Sequence, residues 1–209
     1  MKKPFFGVYN PSIILTYISV FAALAGISIL LTADNGTLTC MKTVIILLIV
    51  SGICDMFDGS VARKCKRTDV EKEFGVQLDS LADTVAFVVY PATILLHLAG
   101  GNSITYVIAC FYVFAGIMRL GWFNVTTEEN KGLFQGLPVT TAAGLIPLVY
   151  TIANLAHSTN HIGSIMQTTC GIIALLFISN FKLKKPNGKM KAIMGVIALT
   201  IAAFIIFTL

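Results

Sequence analysis

Seven apolar runs leave this chain little room to be anything but a bundle of membrane-crossing helices. They fall at roughly 11–32, 40–58, 76–99, 103–123, 137–157, 162–181 and 189–208 of 209 residues. A helix needs about 20 residues to cross a bilayer core, and each run is close to that length. Only 12% of the residues are charged, about half the share found in soluble domains. The connections are short, so no separate soluble domain fits between the spans. Residues 1–209 read as one all-α, polytopic integral membrane domain, with six core helices and a seventh at the C-terminus.

The basic residues orient the bundle. With seven crossings, Lys2, Lys3, Arg63, Lys64, Lys66, Arg67, Lys72, Arg119, Lys131, Lys182, Lys184, Lys185, Lys189 and Lys191 fall on one side, and only Lys42 on the other. Positive residues stay inside, so the N-terminus, the segment around 55–83 and the 124–136 loop are expected in the cytoplasm, beneath the cell membrane. The net charge of +5 then reads as juxtamembrane lysines meeting anionic headgroups, and no nucleic-acid module is visible. The first run exceeds a signal-peptide core and is read as a retained anchor. Ahead of it, residues 4–9 are either a short segment lying in the interface or an unstructured tail. The five cysteines show no CxxC spacing and read as small packing residues. His97, His157 and His161 lie away from the acidic segment and receive no role. The charged run 64–74 reads as a solvated face, forming a short helix or continuing the second span.

Four aspartates stand out against this background: Asp55 and Asp58, spaced three apart, and Asp79 and Asp83, spaced four apart. On a helix each spacing places both carboxylates on one face, with Cβ atoms about 5–6 Å apart. An aspartate inside a span is costly, and an intramembrane acid marks a functional site by default. Helix capping near an N-terminus explains one such residue, not two matched pairs. Two pairs at the ends of neighbouring helices would form a four-carboxylate cup suited to divalent metal. Ion pathways also use buried acids, but those recur across the membrane, whereas here most acids gather at 55–83.

The residues Asp55, Asp58, Gly59, Ala62, Arg63, Gly75, Asp79 and Asp83 fill D-x-x-D-G-x-x-A-R … G-x-x-x-D-x-x-x-D. That pattern resembles the signature of the CDP-alcohol phosphotransferase family. Eleven residues separate Arg63 from Gly75, three more than the family's usual number, and they are expected to bulge into the cytoplasm. The resemblance implies that Asp55, Asp58, Asp79 and Asp83 hold two divalent cations, Mg²⁺ or Mn²⁺. It also implies that Asp83 is the general base, and that Asp55, Gly59, Ala62, Arg63 and Gly75 line a nucleotide pocket. Taken alone, Gly59 and Ala62 would be helix-packing residues and Arg63 a snorkelling arginine.

Ser80, directly after Asp79, resembles the phosphatidylserine synthase branch of that family. So do Arg119, Leu120, Phe123, Asn124 and Val125, and Gly136, Leu137 and Pro138. The branch resemblance implies transfer of a phosphatidyl group from CDP-diacylglycerol to L-serine within the membrane by a homodimeric enzyme. Gly121, Trp122 and the stretch 86–92 depart from the branch pattern, so glycerol 3-phosphate, an inositol phosphate or another small alcohol remains the alternative acceptor. Direct displacement is expected, because no Ser, Cys or His stands in an obvious nucleophile arrangement; Ser80 is the weak exception. Ser80, Arg119 and Asn124 are candidate substrate contacts. A guanidinium at Arg119 can grip a phosphate or a carboxylate with two hydrogen bonds, or simply set topology.

Overall fold

The protein is described by a computed structural model covering residues 10–32, 38–126, 133–184 and 187–208. The expected interfacial segment at 4–9 and part of the 124–136 loop lie outside the described residues. The helices are α1 (Ile14–Thr32), α2 (Leu38–Ala62), α3 (Asp69–Asp83), α4 (Tyr90–Ala99), α5 (Ser103–Thr126), α6 (Ala142–Leu155), α7 (Ile162–Ile178) and α8 (Gly188–Thr208). A π-helical segment, Thr84–Val89, joins α3 to α4 in one continuous rod, Asp69–Ala99. Among the described residues six helices are long and apolar enough to cross a membrane, and Val139–Leu155 is a shorter apolar helix. The protein is an all-α polytopic membrane protein. Large apolar side chains such as Phe21, Leu31, Phe114 and Phe207 face outward, as a lipid-facing surface requires.

Small residues set the packing. Along α1, Ser12 (in the 3₁₀ turn that leads into the helix), Thr16, Ser19, Ala23 and Gly26 recur at helical spacing and are buried. Most of them let α2 approach closely, and Gly26 leaves room for the Tyr90 ring of the rod. The Ser19 and Ser51 hydroxyls lie 2.6 Å apart at that contact. The rod Asp69–Ala99 is the most buried of the long spans and α8 the least. The rod is therefore central, while α8 leans on α2 and α6 from outside. In the core Phe87, Tyr90, Ile94 and Leu95 of the rod meet Tyr112, Ile146, Met166 and Phe177 of the surrounding helices.

The charged run differs from its expected form. It neither continues α2 nor makes a separate helix. The α2 helix closes with Lys64 N–H to Val61 O and Cys65 N–H to Ala62 O. A new helix begins at Asp69 and runs unbroken into the third span. Thr68 and Glu71 explain the restart: Glu71 N–H donates to Thr68 Oγ1 at 3.3 Å, and Thr68 N–H donates back to Glu71 Oε2 at 2.8 Å. This reciprocal cap satisfies two orphan donors, and Lys72 adds a 2.8 Å ion pair with Asp69 one turn on. The extra residues thus wind largely into helix instead of bulging.

A second departure is a small antiparallel ladder. Leu133–Gln135 pairs with Lys182–Lys184, with Gln135 opposite Lys182. It ties the segment after α5 to the segment after α7. Gly136 follows at φ 73°, where an added Cβ would meet the Phe177 and Ser179 carbonyl oxygens at 2.8 and 2.9 Å. Only glycine fits both that backbone and that contact.

Candidate metal centre

The interior stripe of α2 runs through Val44, Leu48 and Ser51 and continues, at the same helical spacing, to Asp55 and Asp58. The face that packs the helix in the membrane therefore becomes acidic at its end. The rod approaches that end with Asp79, and one carboxylate oxygen from each of Asp55, Asp58 and Asp79 lies within 4.8 Å of the others. Across the two helices the Asp79 side chain lies against Asp58, and Asp83 against Asp55. Asp83 is one turn deeper and 9% exposed; it stands behind the trio.

Sequence reading did not single out Thr16. Its hydroxyl donates to Asp58 Oδ2 at 3.3 Å from α1, and it is buried. The available signal was its place in the small-residue stripe of α1. Asn10, just before α1, donates to the Lys66 carbonyl at 3.1 Å, which ties the start of α1 to the turn between the acidic helices.

The two motif glycines border open space. A Cβ at Gly59 would have Arg63 Nη1 as its nearest neighbour at 3.6 Å, and one at Gly75 would have Arg67 Nη1 at 3.6 Å. Each glycine thus exposes bare backbone beside a guanidinium. Arg67 was read only as a topology-setting charge, so its place beside Gly75 is new. Arg63 also donates to Ser60 Oγ at 3.1 Å. Ala62 is half-buried on the last turn of α2.

Ser80 and Asn124 meet. The Ser80 hydroxyl donates to Asn124 Oδ1 at 3.0 Å, which holds the end of α5 against the turn of α3 between Asp79 and Asp83. Arg119 sits elsewhere: it lines a cavity between α5 and α7 to which neither α2 nor α3 contributes.

An all-carboxylate donor set is hard and oxygen-only, which suits Mg²⁺, Mn²⁺ or Ca²⁺ over softer ions. The cluster can hold a divalent metal, and the bare glycine backbone beside it is a cradle that any side chain would fill.

This fold and signature define a class. The family model for CDP-alcohol phosphatidyltransferases matches residues 9–208, and the chain belongs to that family. A CDP-diacylglycerol–serine O-phosphatidyltransferase of Helicobacter pylori (strain J99) is 35% identical over 149 residues, covering 68% of this chain and 60% of that protein. An archaetidylserine synthase of Methanothermobacter thermautotrophicus is 35% identical over 141 residues, covering 64% and 60%. A CDP-diacylglycerol–serine O-phosphatidyltransferase of Methanocaldococcus jannaschii is 30% identical over 173 residues, covering 83% and 79%. The matches span about 60% of the length of the first two relatives.

Proposed function

We propose that the protein transfers a phosphatidyl group from CDP-diacylglycerol to L-serine, giving phosphatidylserine and CMP. The observation that carries this reading is the convergence of Asp55, Asp58 and Asp79 with Asp83 buried behind them. The names of the relatives support serine as the acceptor. Two divalent cations, Mg²⁺ or Mn²⁺, held by the four aspartates, would neutralise the diphosphate and stabilise the departing oxygen.

The chain's own groups account for the rest. Arg63 and Arg67, beside the bare backbone of Gly59 and Gly75, bind the cytidine diphosphate in this reading, with Asp55 and Ala62 on the same helix end. Asp83 takes the proton of the serine hydroxyl, for which a base must come within about 2.6–3.2 Å. The serine oxygen forms a bond to the phosphorus that carries diacylglycerol. The bond from that phosphorus to the CMP oxygen breaks, and CMP leaves with the electron pair. Ser80 and Asn124, joined across α3 and α5, contact serine in this reading. The reading sets the aspartates at the cytoplasmic face of the cell membrane in a homodimer.

Purified protein given CDP-diacylglycerol and a panel of alcohols tests this, with CMP release and lipid mass as readouts. Serine-dependent CMP release is expected. Release with glycerol 3-phosphate or an inositol phosphate but not with serine would replace the acceptor and leave the chemistry standing.

A further inference from the structure

The acidic centre leaves one buried ionic group of the bundle unused. Arg119 is 6% exposed, and its Nε has no hydrogen-bond partner among the described residues. The Phe123 ring lies 5.4 Å from the guanidinium carbon. The side chain borders a cavity of about 220 Å³ between α5, the end of α7 and the short ladder. That volume is far more than one water needs.

The walls select for sign. Trp122 Nε1 donates to Gln135 Oε1 at 2.9 Å, and Gln135 Nε2 donates to Asn180 Oδ1 at 2.7 Å. Both amide oxygens thus accept a hydrogen bond within the wall, and the guanidinium borders the cavity with its Nε unpartnered among the described residues. Among the described residues no carboxylate lines the cavity. A desolvated cation with no carboxylate partner among the described residues calls for an oxyanion.

The mouth selects for source. Met118 and Ile178 stand at its rim on the outer faces of α5 and α7, 65% and 46% exposed, with Trp122 beside them. These apolar faces look onto the lipid, and tryptophan favours the membrane–water boundary. Basic pockets between membrane helices take lipid headgroups. We propose that the α5–α7 cavity binds the phosphate of an anionic phospholipid entering from the surrounding leaflet, with Arg119 as the recognising charge.

Trp122 is the single tryptophan of the chain, so its emission reads the cavity directly. The 209-residue protein in neutral detergent, with chelator present, is titrated separately with phosphatidylglycerol, phosphatidylcholine, inorganic phosphate and L-serine. A saturable change with phosphatidylglycerol alone is expected. Arg119→Gln should weaken it about tenfold or more, the loss of a charge-assisted bond, and Arg119→Lys should weaken it less. Saturation by serine instead would make the cavity an acceptor pocket, and an equal response to inorganic phosphate would make it a free-anion site; either overturns the proposal. No response to any anion would also overturn it and leave Arg119 as a packing residue against Phe123. If Arg119→Gln does not fold, quenching of wild-type Trp122 by brominated phosphatidylglycerol decides. Relief by unlabelled phosphatidylglycerol but not by phosphatidylcholine supports the proposal, and equal relief by both overturns it. Binding is read without turnover, so this test and that of the catalytic reading fail independently.

Discussion

Two polar regions share one end of this bundle, and they are built on opposite plans. Between α2 and α3 the protein crowds like charges, with Asp79 on Asp58 and Asp83 on Asp55. Between α5 and α7 it buries a guanidinium nitrogen that has no hydrogen-bond partner among the described residues. A low-dielectric interior penalises both arrangements. The penalty is offset when a guest of the opposite sign binds, cations in the first region and an oxyanion in the second. The difference teaches that charge left uncompensated by the chain identifies the kind of ligand, while the number of like groups indicates its valence.

Stripping divalent ions tests the first region hardest. Chelation should abolish CMP release completely, and Mg²⁺ or Mn²⁺ should restore it; turnover that persists without metal would end the contrast. Next comes Asp83→Asn, expected to lower turnover about 10²–10⁴-fold, the usual contribution of a general base. Its thermal unfolding in detergent should match wild type. Retained turnover would move the base elsewhere.

Thr16→Val sharpens the comparison further. It removes the hydroxyl on Asp58 while keeping the shape, and should weaken Mn²⁺ binding about tenfold, at the lower end for an outer partner of a ligand. Electron paramagnetic resonance of free Mn²⁺ reads that affinity directly. Arg119→Gln should leave it at the wild-type value; a matching loss there would show that the two regions are one. The smallest effect is expected from Thr68→Ala, which removes the cap that starts α3 and should cost about 1 kcal/mol, read as a lowered melting temperature.

Much of this was legible because periodicity and charge say most where they conflict. The seven apolar runs foretold the spans, since lipid crossing demands length and composition together. The paired aspartates foretold that Asp55, Asp58 and Asp79 would meet, since three- and four-residue spacings share a helix face. The start of α3 was legible too, in Thr68 and Glu71 three residues apart, but the charge of the run masked the cap. Arg119 and Asn124 were grouped because they are neighbours in sequence. Five residues at about 100° each turn them to different faces, and the structure places one at a cavity and the other on Ser80. The ladder at Leu133–Gln135 was not legible, because three-residue pairings depend on where distant helix ends arrive.

The wider turns of Thr84–Val89 have a consequence for the whole rod. There the Tyr90 N–H reaches back to the Val85 carbonyl, five residues away, and the Tyr112 hydroxyl donates to the Phe87 carbonyl at 3.0 Å. A π-bulge shifts the phase of a helix by about one residue. The positions that face inward below it and above it therefore belong to separate series, and each half is aimed on its own. Excising a single residue there would merge the two series into one regular winding and leave Asp79 and Asp83 on target, whereas straightening the bulge with every residue kept would swing them roughly 100° off it.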